Sequence, residues 1–198
     1  MDGLPEPGAL IKIWTIATRQ DKEAINPGSK EFTAYQQLTY APAIKTGGII
    51  WLSGITGFEL GPENRKTYSG DTESQSNRTY ELVDQILKTA GASLADLIFG
   101  VQYVAPQAIL NYDIIAKARQ AATGQSGSFA VADIVVNRLL SPNRHLELEL
   151  VAAASSESKR SFSVKQLPDR RGSVLAAEAG GLVFLSGVLP VDPSTGSV

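Results

Sequence analysis

The strongest constraint on this chain is a sequence pattern that occurs twice at a constant offset. Within residues 40–57, two short apolar runs flank a Gly-Gly pair and a Ser-Gly pair follows, and residues 173–187 repeat this arrangement. Glycine supplies the positive φ angles that a tight turn between antiparallel strands requires, so each copy predicts a β-hairpin. The corresponding residues are Gly47, Gly48, Ser53 and Gly54 in the first copy and Gly180, Gly181, Ser186 and Gly187 in the second. The sequence therefore predicts an internal repeat.

Composition excludes several classes of protein. A net charge of -2 over 198 residues argues against a surface that neutralises phosphates, so nucleic acid is not the expected partner. The absence of cysteine and the single histidine exclude disulfide frameworks, cysteine catalysis and the common zinc sites. A carboxylate site for a hard cation stays open on composition alone, but no motif indicates one, and we expect no metal or cofactor. No segment approaches the roughly 20 apolar residues of a membrane span, and the N-terminus lacks a signal-peptide pattern. We expect a cytoplasmic protein without a membrane partner.

The remaining periodicities predict an α+β fold in which two helices cover one face of a single sheet. The predicted strands are 10–17, 41–44, 49–52, 97–104, 129–136, 145–153 and 161–164, the predicted helices are 74–90 and 110–121, and Gly124 closes the second helix. Between the first hairpin and the first helix, residues 58–73 form a long polar loop. Loops of that length are often functional or mobile.

The repeat suggests how the chain is divided into domains. We predict an N-terminal extension with the first strand over 1–38, a complete domain over 39–155, and the beginning of a second domain, with strands only, over 156–198. Strands without helices leave a sheet face uncovered and are not stable alone. The second unit is therefore expected to pack on the first unit or on another chain.

Several residues are candidates for chemistry. In the run from His145 to Leu150, the period of two places His145, Glu147 and Glu149 on one face of a strand and the leucines on the other. If this face lines a cleft, Glu149 can orient water or exchange a proton; if it is solvated, the charges are ordinary surface groups. Asp133 alternates with valines, so it is either an exposed edge residue or a buried carboxylate near Glu149.

Two further candidates lie at the first hairpin. The glycine of Ser53-Gly54 allows a ligand to approach the backbone at the end of a strand, although such a pair can also simply end the strand. Tyr40 can donate its hydroxyl to a substrate or serve as a packing residue. No nucleotide-binding glycine motif and no hydrolase triad accompany them.

Four motifs together resemble the YjgF/YER057c/UK114 family, also called the Rid family or endoribonuclease L-PSP. These are Thr15-Ile-Ala-Thr18, Tyr40 thirteen residues before Ser53, Gly91-Ala-Ser-Leu-Ala-Asp-Leu97, and Leu146-Glu-Leu-Glu-Leu-Val-Ala-Ala153. The resemblance implies a chorismate-mutase-like fold and a homotrimeric barrel with small-molecule clefts between subunits. It also implies hydrolysis of reactive enamines and imines such as 2-aminoacrylate.

The family's site residues are carried over by position. The resemblance assigns Tyr40, Ser53 and Gly54 to substrate binding and Glu149 to the positioning of water. The family's carboxylate-clamping arginine is replaced by Val131, which cannot form a bidentate pair. Asp133 stands where many members have a small residue or cysteine, and we consider it a second acid/base group.

Three functions follow from these residues. The first is a divergent Rid-like enzyme that hydrolyses or tautomerises a small nitrogenous metabolite. The second is a non-catalytic small-molecule-binding or assembly module of the same fold, because the arginine is replaced. The third, ribonuclease action, follows only from the family's older label, and the negative net charge argues against it.

Overall fold

The computed structural model describes residues 15–124, 127–155, 159–163 and 173–188. The strands are β1 (Glu23–Ile25), β2 (Ala43–Thr46), β3 (Ile49–Leu52), β4 (Glu59–Leu60), β5 (Lys66–Thr67), β6 (Leu97–Val104), β7 (Phe129–Val135), β8 (Leu146–Ala153), β9 (Arg160–Phe162), β10 (Ser173–Val174), β11 (Ala176–Ala179) and β12 (Leu182–Leu185). The α-helices are α1 (Thr72–Thr89), α2 (Pro106–Ile109) and α3 (Tyr112–Thr123). Among these residues, no helix is long and apolar enough to span a membrane.

The main sheet has seven strands in the order β1-β2-β3-β8-β6-β7-β10. All neighbouring strands are antiparallel except the pairs β6–β7 and β7–β10, which are parallel. The strand β8 lies at the centre, between β3 and β6. The predicted strands 97–104, 129–136 and 145–153 are confirmed to within one residue.

Helices α1 and α3 cover one face of this sheet. The α1 helix begins two residues earlier than predicted, because the Asp71 side chain accepts a hydrogen bond from the Ser74 backbone N–H at 2.9 Å and caps the helix. The apolar stripe of α1 and the leucines of β8 form the main core, whose members include Tyr80, Leu82, Val83, Ile86, Leu87, Leu146, Leu148 and Leu150. The predicted α+β fold with two helices on one face is thus confirmed.

The second hairpin covers part of the opposite sheet face. Strands β12, β11 and β9 form a separate three-stranded sheet, and Ala177 and Ala179 pack against Ile98 and Val151 of the main sheet. The ring of Phe184 stacks on a second aromatic ring, that of Phe99, at 5.2 Å between ring centroids. The second unit therefore packs on the first unit. This is one of the two arrangements that we expected from its uncovered sheet face.

The two hairpins share the same backbone geometry. The φ angles are +58° and +77° at Gly47 and Gly48, and +57° and +75° at Gly180 and Gly181. Each hairpin is closed by its serine, because Ser53 Oγ donates to the Ala41 carbonyl at 2.7 Å and Ser186 Oγ donates to the Val174 carbonyl at 2.6 Å. The prediction of two related hairpins is confirmed, while the extent of a second domain stays a prediction.

The structure differs from the sequence-based prediction at three segments. Residues 15–17 are not in a strand, and residues 10–14 lie outside the described ranges. The first described strand is β1, which was not among the predicted strands and in which pairing with β2 buries Ile25. The loop 58–73 contains the short β4–β5 hairpin. The predicted strand 161–164 is β9, and residue 164 lies outside the described ranges.

The packing of the second hairpin can be measured through Phe184. We expect Phe184→Ala to lower the free energy of unfolding by about 1–3 kcal/mol, because it removes a half-buried ring from between the sheets. The neighbouring residue Val183 is 60% exposed, so Val183→Ala should change stability by no more than about 0.5 kcal/mol. Urea denaturation of both variants provides the comparison. Equal midpoints would contradict the observed packing of the hairpin.

Candidate functional site

Alternation along β8 separates its leucines from its glutamates. Leu146, Leu148 and Leu150 are buried in the main core, so Glu147 and Glu149 lie on the face away from the helices. The end of the first hairpin runs alongside, because Ile55 forms an isolated antiparallel bridge with Leu148. This pairing brings the Ser-Gly end of β3 to the glutamates of β8 within one chain.

Ser53, Gly54 and Glu149 line one groove between the main sheet and the second hairpin. The groove has a volume of about 690 Å³, and its walls are mainly apolar, with Trp51 and Phe184 among the lining residues. Within it, Glu149 accepts a hydrogen bond from the Tyr103 hydroxyl at 3.2 Å. Desolvation and the Glu149 charge raise the pKa of Tyr103 to about 12, so this hydroxyl remains protonated.

Glu147, rather than Glu149, lies directly against Gly54. A Cβ atom at position 54 would meet the Glu147 carboxylate, so glycine permits this close approach and a larger residue would displace the flexible glutamate side chain. Desolvation raises the pKa of Glu147, and the Glu149 charge adds to this effect. The cations Arg144 and Lys66 act in the opposite direction. The carboxyl group therefore exchanges its proton at a higher pH than an ordinary glutamate.

Cations and tyrosines surround this carboxyl group. We call the following residues the Glu147 cluster: Tyr35, Lys66, Tyr68, Arg144 and Glu147. Arg144 Nη1 lies 3.6 Å from Glu147 Oε2, and the guanidinium lies 4.6 Å from the centre of the Tyr68 ring. Lys66 Nζ lies 5.1 Å from the centre of the Tyr35 ring. Desolvation is the main cause that raises the pKa of Tyr35, to about 12.

Tyr40 lies at the margin of the Glu147 cluster. Its ring contacts Tyr35 edge-on at 5.5 Å, and the residue is 56% exposed. It is absent from the lining of the groove that holds Ser53. The structure therefore places Tyr40 near Glu147 rather than near Glu149.

Val131 lies away from both glutamates, in the core beneath the helices. Its backbone N–H donates to Ser186 Oγ at 2.8 Å, and its carbonyl accepts from the Gly187 N–H at 3.0 Å. The Ser-Gly pair of the second hairpin thus occupies this edge of β7. The position expected for a clamping arginine is filled by contacts within the chain.

Asp133 is exposed and does not lie near Glu149, so the structure agrees with the first of the two alternatives and not with a buried carboxylate beside Glu149. Its carboxylate accepts hydrogen bonds from Gln102 Nε2 at 2.7 Å and from the Tyr112 hydroxyl of α3 at 2.6 Å. Consecutive strand residues point to opposite faces of a sheet. Gln102, the partner of Asp133, therefore points to the helix face, and Tyr103, the partner of Glu149, points to the groove face. Asp133 and Glu149 therefore lie on opposite sides of the sheet.

The sequence analysis did not identify Lys66 or Arg144 as site residues, and it singled out Glu149 rather than Glu147. Signals existed for each of them. Glu147 shares a face with Glu149, Arg144 lies three residues before it, and Lys66 belongs to the loop whose length indicated function. Their convergence depends on the β4–β5 hairpin folding back onto the start of β8. In the part of the chain that the structure describes, no three His, Asp or Glu side chains are grouped to hold a metal ion.

Comparison with curated proteins finds partial matches. The chain is 36% identical over 78 residues to the 3-aminoacrylate deaminase RutC of Acinetobacter baylyi, a match over 39% of this chain and 58% of the relative. It is 37% identical over 59 residues to a RutC family protein of Pyrococcus abyssi, a match over 30% of this chain and 45% of the relative. The chain thus spans about half the length of each of these relatives.

Solved structures share the fold. A YjgF/YER057c/UK114 family member from Mycobacterium tuberculosis, Rv2704, superposes with a TM-score of 0.53 at 22% identity, over 67% of this chain and 99% of that chain. A Pseudomonas aeruginosa protein of unknown function, PA3499, superposes with a TM-score of 0.56 at 21% identity, over 68% and 94% of the two chains. The family model for endoribonuclease L-PSP matches residues 32–154. The chain therefore belongs to the endoribonuclease L-PSP family, also called the YjgF/YER057c/UK114 family.

Proposed function

We propose that this protein hydrolyses small enamines or imines to carbonyl compounds and ammonia. The observation that carries the proposal is the half-buried Glu147 carboxyl group, whose pKa is raised and which lies against the backbone of Gly54. Membership of the family and the partial match to a 3-aminoacrylate deaminase support the same chemistry. A metabolic reaction of this kind fits the cytoplasmic location predicted from the sequence.

Glu147 acts as the acid/base group in the proposed reaction. An enamine first becomes an imine by moving a proton from nitrogen to carbon. The Glu147 carboxylate then takes a proton from water as the water oxygen bonds to the imine carbon. The same carboxyl group returns that proton to nitrogen, which gives a carbinolamine. It then moves the proton of the new hydroxyl group to nitrogen as the carbon–nitrogen bond breaks, so that ammonia leaves a carbonyl product. A raised pKa suits both steps, because the group must accept and donate near neutral pH.

The other predicted residues keep supporting roles in this proposal. Gly54 gives the substrate access to the backbone beside Glu147, and Ser53 closes the hairpin that positions it. Tyr40 borders the Glu147 cluster, and Glu149 forms the wall towards the groove with its hydroxyl partner Tyr103. Asp133 and Val131 lie on the other side of the sheet and take no part in the reaction.

We further propose that the protein forms a homotrimer. The second hairpin shows how a Ser-Gly end binds a β7 edge, with Ser186 accepting from one backbone N–H and Gly187 donating to the carbonyl of the same residue. Ser53 and Gly54 form the same kind of hairpin end, but β7 of each copy is already occupied by its own Ser186 and Gly187, so the support for a trimer is the exposed apolar surface. The nearby groove is apolar, and Val183 and Leu185 beside it are 60% and 63% exposed.

A non-catalytic module of the same fold is the second candidate. The observation in its favour is that Ser186 and Gly187 occupy both backbone groups of Val131, at the position where the family clamps its substrate. In that case the two Ser-Gly hairpin ends serve assembly alone. The glutamate variants below distinguish this candidate from the enzyme.

Substitution of Glu147 tests the reaction. With freshly generated 2-iminopropanoate as substrate, Glu147→Gln should lower kcat by roughly 10²- to 10⁴-fold, because the amide cannot exchange the proton. Glu149→Gln is the matched control on the same strand face and should keep most of the activity. Release of ammonia is followed against the uncatalysed rate. Wild-type turnover equal to that rate would favour the non-catalytic module.

The pH dependence tests the same group independently. The base form of Glu147 is required for attack by water, so the rate should fall as pH decreases through its pKa. Because burial raises this pKa above the ordinary value of 4.5, the decline should be centred above pH 4.5. In Glu149→Gln the limb should shift to lower pH, because the Glu149 charge contributes to the raised pKa of Glu147. A flat profile down to pH 4.5 would contradict the assignment.

Light scattering after size exclusion tests the assembly. We expect a trimer for the wild type and smaller species for Val183→Asp and Leu185→Asp, which place charges on the apolar rim of the groove. Leu110→Asp is the control, because Leu110 is 96% exposed on the helix layer. A monomeric wild type at all concentrations would refute the trimer.

A further inference from the structure

The internal repeat shows that β12 lacks a partner strand on its outer side. In the first hairpin, β3 pairs with β2 on one side and with β8 on the other, and both pairings are antiparallel. In the second hairpin, β12 takes the place of β3 and pairs with β11. The small sheet has the order β12-β11-β9, so the other side of β12 is a free edge among the described residues. Free strand edges bind further strands readily, because their N–H and C=O groups are unpaired.

Val183 and Leu185 direct their backbone groups to this free edge. The Ser186 N–H donates to the Leu175 carbonyl at 2.8 Å, so the backbone of Ser186 faces the preceding strand. Backbone groups alternate sides along an antiparallel strand, so Phe184 also faces β11 and the two residues beside it face outward. Both of those residues are exposed. They offer two N–H donors and two C=O acceptors to an extended segment.

The N-terminal segment runs towards this edge. Thr18 and Lys22 line a second cavity, which Trp51 also lines, over the face of β2 and β3 that points away from the helices. Ile16 lines both this cavity and the groove that holds Ser53. Followed backwards from Lys22, the chain therefore passes out of the second cavity and reaches the groove at Ile16.

The same two cavities set the relative direction of this segment and β12. Gly180, just before β12, lines only the second cavity, Leu182 lines both, and Leu185 lines only the groove. Along the chain, β12 thus runs from the second cavity into the groove, whereas the N-terminal segment runs from the groove to the second cavity. The two segments are antiparallel, which is the orientation of β8 against β3.

The residues that precede Ile16 match the groove in chemistry and in length. Residues 1–14 lie outside the described ranges, and their last five are Leu10-Ile11-Lys12-Ile13-Trp14. Four of these five are apolar, and isoleucine and tryptophan favour strands. The walls of the groove are mainly apolar as well. Five extended residues span about 17 Å, which is sufficient to follow the four residues of β12.

We propose that residues 10–14 form a strand that pairs antiparallel with the free edge of β12 in the same chain and covers the apolar part of the groove. The strand supplies to β12 the partner that β8 supplies to β3. It shields Trp51 and Leu182, which line the groove, from water. The proposal goes beyond the proposed hydrolysis and does not depend on it, because Glu147 is absent from the groove lining.

The pairing is compatible with the proposed trimer. The Phe184 ring stacks on Phe99 of the main sheet, so the side chains of Val183 and Leu185 point away from that sheet. Strand pairing uses backbone groups at the edge, which leaves these two side chains free for contact with another copy.

Amide hydrogen exchange tests the pairing. In the full chain, the N–H groups of Val183 and Leu185 should be protected, and deletion of residues 1–14 should raise their exchange rates by about 10- to 100-fold, because their acceptors are lost. The N–H of Phe184 faces β11 and is the matched control, whose rate should not change. Fast exchange at both outward positions in the full chain, or equal rates before and after the deletion, would overturn the proposal.

Disulfide cross-linking identifies the chain that supplies the strand. The sequence contains no cysteine, so each double variant holds a single pair of thiols. Leu185→Cys is combined in turn with Ile11→Cys, Lys12→Cys and Ile13→Cys, and each variant is oxidised at low protein concentration. Opposed strand residues have Cβ atoms about 5 Å apart, so one of these pairs should form a disulfide within the monomer. Leu110→Cys replaces Leu185→Cys in the control and should form none, because Leu110 is exposed on the helix layer.

The size of the oxidised product decides between the possible occupants of the edge. A disulfide within the monomer supports the proposal. A covalent dimer would show that the strand comes from a second copy, and no cross-link at any position would show that the segment does not lie against β12. Either of these two results overturns the proposal. Circular dichroism of the reduced variants verifies that the fold is intact.

Discussion

The alternation of leucine and glutamate along β8 is the constraint on which the rest of this structure depends. The strand is central in the sheet, so its leucines must face the helices, and Leu148 and Leu150 do so in the main core. Glu147 and Glu149 are thereby fixed on the other face by the period of two. Moving the strand by one residue would bury both charges and expose the core. The energy of core formation therefore also positions the candidate site.

The sheet face that carries the glutamates holds both the candidate site and the packing surface for the second hairpin. Towards one end the second hairpin covers it, with Phe184 stacked on Phe99 and Ala177 buried. Towards the other end it stays open and polar at Gly54 and Glu147. Ser186 of the same hairpin accepts a hydrogen bond at the edge of β7. The hairpin therefore packs on the sheet face and also caps the sheet edge. A sheet with two usable faces allows one chain to combine these roles.

The Glu147 cluster combines one carboxyl group on a strand with two cations from outside that strand. Val131 leaves no cation on β7 at the expected position, yet Lys66 and Arg144 bring two cations to the carboxyl group from a hairpin and a loop. Loops tolerate such changes because they lie outside the ladder of strand hydrogen bonds. The strand supplies the precise placement of Glu147, and the loops around it supply the charge.

The sequence by itself determined the two hairpins, both long helices, the sheet strands from 97 to 153 and the family. These follow from periodicity, glycine turns and local motifs, which are properties of neighbouring residues. It also placed both glutamates on one face. Only the tertiary structure decided that Asp133 lies behind the sheet, that Glu147 rather than Glu149 meets Gly54, and that the β4–β5 hairpin carries a lysine to it. Those contacts join residues far apart in the chain, and their geometry depends on how a sheet pairs and how a loop folds back, which no local pattern encodes.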